Sequence, residues 1–565
     1  MKNDILHERK EFNTVREIIE WAGNEYGERW AYSFKERPSG KEITKVSFNQ
    51  LRSEVRALAS EMLSRGMAGR HCILVGKMSY EWALVYFAAL SIGAVLVPLD
   101  RDWHADDLAE TAKKAEAEFL FCDEENADKA SVIAEKAEIT APTVFLGAKE
   151  NENNVNTLTA LGHMKYRRDA SAYKNAPIDV DALALLVFTS GTTGKGKGVM
   201  LSQRAIISNI CAALPFIDYS DKTIGVLPPH HTYGSTIMFI GHTIIGSEIY
   251  VSAGLRYITK ELKEQKPGHL VLVPLYLETF YRRILSTVKD QGKERLLFNM
   301  IKLSNALRKV GIDKRSRFFE SVRGAFGGEI KTVISGGAPI NPEILEFFDS
   351  IGISVLNGYG ITECAPLIAV NHSRNTVEGS VGNVIDIDTV IIDEPNENGE
   401  GEILVKGPNV MLGYYKDEEA TNAAITEEGY FRTGDYGRLD ENNVLFITGR
   451  KKNLIILSNG KNVYPEEIEN ELIAIPGILE IVVYEGKSKR GLAHNEIVAE
   501  IFPDADYMEK NGIEDVKEYL KGHVDSYNKT AVPYKKIAQL KIRKEEFPKN
   551  TLRKILRFKL DTSIE

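Results

Sequence analysis

HCILVGKMSYEWALVYFAALSIGAVLVPLD, residues 71–100, holds the unit from which most of this chain is built. A short aliphatic strand occupies 72–75, apolar residues recur near every 3.6 positions over 80–91, and a second apolar strand follows at 94–98. Strands that are apolar on both faces and joined through a helix predict a parallel sheet covered by helices on either side. The same grammar returns in ALALLVFTSG (182–191), before a helix, in HLVLVPLYLETFYRRI (269–284) and in the stretch 330–360. A large α/β body is expected.

The pattern changes after about residue 377. GNVIDIDTVIIDE (382–394), GEILVKGPNVMLGYY (401–415) and GYFRTGDYGRLDENNVLFITGR (429–450) alternate short strands with Gly, Asn and Asp turns, which is antiparallel grammar. From Lys451 to the end runs a smaller α+β segment closing in the basic stretch 534–560. The expected fold is therefore α/β: parallel-sheet subdomains plus a small β-barrel-like subdomain at about 377–450, then a small mobile α+β domain. The expected division is 1–450 and 451–565.

At 565 residues the chain exceeds what one core supports, and 43% hydrophobic with 27% charged residues is ordinary globular composition. A net charge of −9 leaves no whole-chain basic excess for nucleic acid. Cys72, Cys122, Cys211 and Cys364 lie far apart, with neither disulfide-framework nor zinc-ligand spacing. The first 23 residues carry scattered charges and no apolar core of a signal peptide, and no run reaches the 18 to 20 apolar residues of a membrane span. A cytoplasmic protein is expected.

TSGTTGKGKG (189–198) carries the chemistry. From Gly191 it satisfies seven positions of the nucleotide P-loop pattern G-x-x-x-x-G-K-S/T, but Gly198 stands where a hydroxyl should hold magnesium. Glycines that let backbone N–H groups converge, hydroxyl donors and lysine charge still make a phosphate loop, with the metal held from elsewhere. A Gly/Ser/Thr surface loop is the alternative from composition alone.

TSGTTGKGKGVMLSQ (189–203) closely resembles the phosphate signature of the adenylate-forming superfamily, and further motifs follow in that family's order along nearly the whole chain. The resemblance implies that Thr189, Ser190, Gly191, Thr192, Thr193, Gly194 and Lys197 hold ATP phosphates. LPPHHTYG (227–234) is similar to the segment closing the acyl pocket, with His231 in the usual histidine position. ISGGAP (334–339) puts Gly336, Gly337, Ala338 and Pro339 against adenine. NGYGITE (357–363) adds Asn357, Gly358, Tyr359, Gly360 and Thr362 to the nucleotide site, and Glu363 as the magnesium ligand that Gly198 lacks. YFRTGD (430–435) gives Asp435 to both ribose hydroxyls, and GRKKNLI (449–455) gives Arg450 to the nucleotide and Lys452 to a hinge. NGKNVYPEEIE (459–469) resembles the loop of the thioester step, with Asn459, Gly460 and Lys461. FPKNTLRKILR (547–557) resembles the catalytic-lysine motif, placing that lysine at Lys554, with Arg553 for the family's glycine and Asn550 for its threonine.

The activity implied is ATP-dependent conversion of a carboxylic acid to acyl-AMP and pyrophosphate, then transfer to a thiol. Magnesium, ATP and CoA are implied as metal and co-substrates. Residues 308–371 resemble the long-chain fatty acyl-CoA synthetase branch, whereas 232–238 offer no carboxylate to pair with an amino acid. Transfer to an acyl carrier protein, a CoA ligase for an aryl or branched acid, and a nucleotide-binding regulator without turnover are the alternatives. The basic C-terminal stretch fits CoA phosphates, a membrane surface or a solvated face.

Overall fold

The 71–100 unit is realised as read: strands His71–Val75 and Val95–Leu99 pair in parallel and the helix Tyr80–Leu90 joins them. Ser79 starts that helix, its hydroxyl accepting Trp82 N–H at 3.1 Å. Nearly every side chain of the helix is buried, because it lies between two layers rather than on a surface. The computed structural model describes residues 6–147, 152–189, 196–254, 256–374, 376–457, 462–488, 496–549 and 555–564.

The unit belongs to a seven-stranded sheet running Gly413–Tyr414, Lys197–Ser202, Leu183–Thr189, Val95–Leu99, His71–Val75, Phe119–Asp123, Val144–Leu146. Its first two joins are antiparallel and the rest parallel. The helix expected directly after 182–191 is delayed. The chain first returns as strand Lys197–Ser202, whose alternating Val199 and Leu201 are buried, and helix Gln203–Ala213 follows.

A five-stranded sheet sets His269–Leu272, Thr332–Gly336 and Ser354–Gly360 in parallel, then adds Leu367–Val370 and Asn383–Val384 antiparallel. A four-stranded sheet, Thr44–Ser47, Trp30–Phe34, Glu248–Val251, Lys222–Gly225, completes the body. The antiparallel region expected after 377 is the sheet Thr389–Asp393, Gly401–Lys406, Phe431–Leu439, Leu445–Arg450. It is open, and no closed barrel is present among the described residues.

From Ile455 on, a separate apolar cluster forms around Val463, Ile468, Leu472, Val483 and Ile501. This part meets the body along helix Pro274–Asp290, where Lys510 pairs with Asp290 and Lys289 Nζ donates to Asn511 Oδ1 at 2.8 Å. Cations of the basic C-terminal stretch are answered by acids: Lys535 by Glu467, Arg543 by Glu500, Lys549 by Glu480 and Arg557 by Glu469. Among the described residues no helix is long and apolar enough to cross a membrane.

Candidate active site

The carboxyl ends of Leu183–Thr189, Thr332–Gly336 and Ser354–Gly360 carry the expected nucleotide motifs, as open α/β sheets place their ligands. Thr189 and Lys197 face each other across the antiparallel ladder, at the two ends of the expected phosphate loop. Ser190, Gly191, Thr192, Thr193 and Gly194 lie outside the described residues. Gly198 is a strand residue opposite Phe188, and a Cβ there would come within 3.0 Å of Leu186 and 3.1 Å of Phe188. A P-loop leads from its lysine into a helix; here the chain leads into a strand, so position 198 packs and cannot ligate.

Tyr414 joins the loop to the expected metal ligand. Its strand pairs with the outgoing strand of the loop, Tyr414 opposite Val199, and Tyr415 N–H donates to Gly198 O at 2.7 Å. Lys197 Nζ lies 4.6 Å from the Tyr414 ring centroid, a cation–π contact, while the Tyr414 hydroxyl donates to Glu363 Oε1 at 3.0 Å. Met411 N–H donates to Glu363 O at 2.8 Å.

Two buried amides hold the turn that bears Glu363. Asn209 Nδ2 donates to Leu367 O at 2.7 Å and to Cys364 O at 3.2 Å, and its Oδ1 accepts Leu367 N–H at 3.1 Å. Asn409 Nδ2 reaches the same two carbonyls at 3.2 and 3.1 Å. Both asparagines are about 1% exposed or less, so their amide groups have no water to fall back on. Neither residue, nor Tyr414, carried a sequence signal that marked it for this role.

Asp435 and Arg450 are cross-strand partners, and Arg450 Nε sits 3.0 Å from Asp435 Oδ1. Tyr359 donates its hydroxyl to the other oxygen, Oδ2, at 2.7 Å. Lys452 is exposed by surface area, yet the protein packed around its amine pushes it below the ordinary lysine range, first by desolvation and then by the Arg450 charge beside it. Ala338 and Pro339 are exposed at the rim, following Gly337, whose φ of +88° suits glycine. Gly360 is required by crowding, since a Cβ there would stand 2.1 Å from Pro366 O. Asn357 sits on the same strand, its carbonyl accepting Asn371 N–H at 3.0 Å.

A narrow apolar cavity of about 60 Å³ runs from Gly336 and Gly358 past Tyr359 and Tyr233 to Ile217 and Tyr219. Tyr233 crosses it, its hydroxyl donating to Leu272 O at 2.9 Å and Ile334 O at 3.2 Å. Behind Tyr219 stand two stacked, buried imidazoles, His242 and His269, with Nε2 atoms 2.9 Å apart. His231 is not among the cavity-lining residues. It precedes the π-helical turn Tyr233–Gly241 and its ring lies 4.2 Å from that of His230. Thr362 opens the turn that carries Glu363. Asn459, Gly460, Lys461 and Lys554 lie outside the described residues.

Glu363 suits magnesium by the chemistry of its donor: a hard carboxylate oxygen beside the base of a phosphate loop, where magnesium takes one or two carboxylates and completes its shell with phosphates and water. No cluster of three or more His, Cys, Asp or Glu that would form an all-protein cage exists among the described residues.

Comparison with known proteins defines the class. Residues 19–415 match the AMP-binding enzyme family, and the chain belongs to it. It is 30% identical to long-chain-fatty-acid–CoA ligase FadD15 of Mycobacterium bovis, over 78% of this chain and 75% of that protein. That similarity sets it in the long-chain acyl-CoA synthetase branch of the adenylate-forming enzymes. Long-chain-fatty-acid–[acyl-carrier-protein] ligase AEE15 of Arabidopsis thaliana is 26% identical over 92% of this chain and 80% of its own length. The fold matches O-succinylbenzoate CoA synthetase of Bacillus subtilis in complex with ATP and a magnesium ion, with TM-score 0.69, 21% identity and coverage of 96% and 98%.

Proposed function

We propose that this enzyme activates a medium- or long-chain fatty acid with ATP, releasing pyrophosphate, and passes the acyl group from acyl-AMP to the thiol of CoA. The observation that carries this reading is that the turn 360–367 serves both parts of the site: it bears Glu363, which bonds Tyr414, and its Gly360, Pro366 and Leu367 line the apolar cavity. Lys197, Tyr414 and Glu363 form a polar cluster at the base of the phosphate loop, and an apolar cavity runs from the adenine strands to Tyr219.

The first obstacle is repulsion between two anions, the acid and the triphosphate. Lys197 and the loop 189–194 bind the phosphates, and Lys554 stabilises charge as the carboxylate oxygen bonds to the α-phosphorus and the bond to pyrophosphate breaks. Magnesium held by Glu363, when bound, neutralises phosphate charge. Asp435 orients the ribose as an acceptor, with Arg450 and Tyr359 fixing its carboxylate. Tyr233 and Tyr219 wall the acyl chain away from water.

The division at 450/451 serves the second half-reaction. Rotation at Lys452 withdraws Lys554 and brings Asn459, Gly460 and Lys461 to the adenylate, so that a thiol displaces AMP. We place the enzyme in the cytoplasm. Its charge gives no basis for a nucleic-acid partner.

A panel of free acids from short to very long, each assayed for pyrophosphate and AMP, tests the reading. Activity with long chains, dependent on CoA for turnover, is expected. Pyrophosphate release without AMP turnover until holo acyl carrier protein is added supports the second reading, to which the similarity to AEE15 lends weight. Preference for aryl or branched acids replaces the substrate assignment, and nucleotide binding without pyrophosphate release identifies a regulator.

A further inference from the structure

The helix Glu294–Lys309 is fastened to the body on one side and bare on the other. Inward, it buries Leu297 and Ser304, Arg308 pairs with Asp349 at 2.6 Å, and Asn305 Nδ2 donates to Ser350 Oγ at 3.2 Å. Outward, Leu296, Leu303 and Val310 follow one another at seven-residue intervals, so they share one line along the helix and the residue just past its end. They are 56%, 54% and 70% exposed, a pattern far from the scattered single apolar residue of an ordinary surface. Ile312, two residues past Val310, is 44% exposed.

Each of these three residues is preceded by a cation: Arg295, Lys302 and Lys309 make a second line directly beside the first. None of the three is paired with a carboxylate among the described residues. Of the neighbouring acids, Asp290 is taken by Lys510 and Asp313 by Arg315. A protein whose net charge is −9 thus presents, here, apolar and cationic lines side by side.

We propose that this face docks on an anionic lipid bilayer. The helix lies in the headgroup plane, Leu296, Leu303 and Val310 reach the acyl boundary, and Arg295, Lys302 and Lys309 bind lipid phosphates. An interfacial helix needs these two lines together, and the long basic stems cover apolar surface while their charges stay at the headgroups. A protein partner fits less well, because lysine is depleted at the centre of protein interfaces and two of the three cations here are lysines. The basic stretch 534–560 fits a bilayer less well too, since its cations named above are matched by acids. The surface stands whichever acid the enzyme activates.

Flotation of the full-length protein with vesicles of phosphatidylcholine alone, or with one third phosphatidylglycerol, tests this. The protein is expected to float with the anionic vesicles, to lose binding at high salt and to ignore the neutral ones. Arg295→Gln/Lys302→Gln/Lys309→Gln is expected to weaken binding roughly a hundredfold, from the usual contribution of a cation near an anionic surface. Leu296→Ser/Leu303→Ser/Val310→Ser should abolish retention while leaving the melting temperature and pyrophosphate release from dissolved acid unchanged. Lys302→Glu alone, a change on an exposed position, should give a partial loss and guards against misfolding of the triple variants. No flotation of the wild type, or flotation of all three variants like wild type, overturns the proposal. So does a wild-type dimer on gel filtration that the serine variant converts to monomer without any vesicle binding by the wild type.

Discussion

Tyr359 donates its hydroxyl to Asp435 Oδ2 at 2.7 Å across 76 residues of chain, while Arg450 holds Oδ1 at 3.0 Å. One carboxylate oxygen therefore faces each neighbour, and the remaining lone pairs are acceptors for the two ribose hydroxyls in the role proposed for Asp435. Burial pushes the Tyr359 phenol well above its ordinary range, so it stays a donor. Tyr359→Phe should raise KM for ATP about fivefold, the worth of one hydrogen bond, with kcat little changed. Asp435→Asn should cost more, roughly tenfold to a hundredfold, because it also leaves Arg450 without its anion. Pyrophosphate release against ATP concentration reads both, and equal effects of the two variants would contradict this division of labour.

Tyr414 links Lys197 to Glu363, the proposed metal ligand, and its two contacts can be separated. Tyr414→Phe keeps the ring beneath Lys197 but releases Glu363 Oε1. Adenylate formation should fall about tenfold and recover in part at high magnesium. Glu363→Gln preserves volume but loses the charge, and a loss of about 10²- to 10³-fold is expected, as for removal of a preorganised electrostatic group. Magnesium titrations of both variants check this; identical magnesium dependence in wild type and Glu363→Gln would take the metal away from Glu363.

Lys554→Ala separates the half-reactions. Adenylate formation from ATP should be abolished, whereas thioester formation from a supplied acyl-adenylate should persist near the wild-type rate. Loss of both to the same degree would remove Lys554 from its assigned role, and adenylate formation at the wild-type rate would point instead to its neighbour Arg553.

Some of this site could be read from the chain and some could not, for a physical reason. The 71–100 unit was legible because its periods are local: the expected helix 80–91 is Tyr80–Leu90 and the expected strand 94–98 is Val95–Leu99. Tyr359, Glu363, Asp435 and Arg450 sit in short motifs whose order along the chain exposes them. Asn209 and Asn409 do their work through carbonyls of Cys364 and Leu367, 158 and 42 residues away at the extremes, and nothing in their own neighbourhood announces it. Tyr414 was hidden by its place on a two-residue edge strand. The return strand Lys197–Ser202 was missed because the glycine-rich run before it conceals the alternation that follows.

The stacked pair behind Tyr219 gives the protein an acid limit. Ser220 N–H donates to His269 Nδ1 at 3.2 Å, so His269 carries its proton on Nε2 and donates to His242 Nε2 at 2.9 Å. His242 then carries its proton on Nδ1, which donates to Ile237 O at 2.8 Å. Both rings are neutral in this chain, and another proton would set two N–H groups against each other. Burial lowers His242 to about 4 and His269 well below its ordinary value, with Tyr219 the titratable side chain packed on both. The unfolded chain takes up those protons near pH 6.5, so between about 6.5 and 4 it binds more protons than the folded one and stability falls as pH falls. Well below 6.5 the slope approaches about 1.4 kcal/mol per pH unit for each histidine. His242→Leu/His269→Leu should melt lower than wild type at pH 7.5, where Ser220 and Ile237 lose partners, yet its melting temperature should change less on going to pH 5. His230, lowered to about 3 by burial, is present in both proteins and cancels from the comparison. Parallel melting curves against pH for the two proteins would show that the pair is not what makes the fold acid-sensitive.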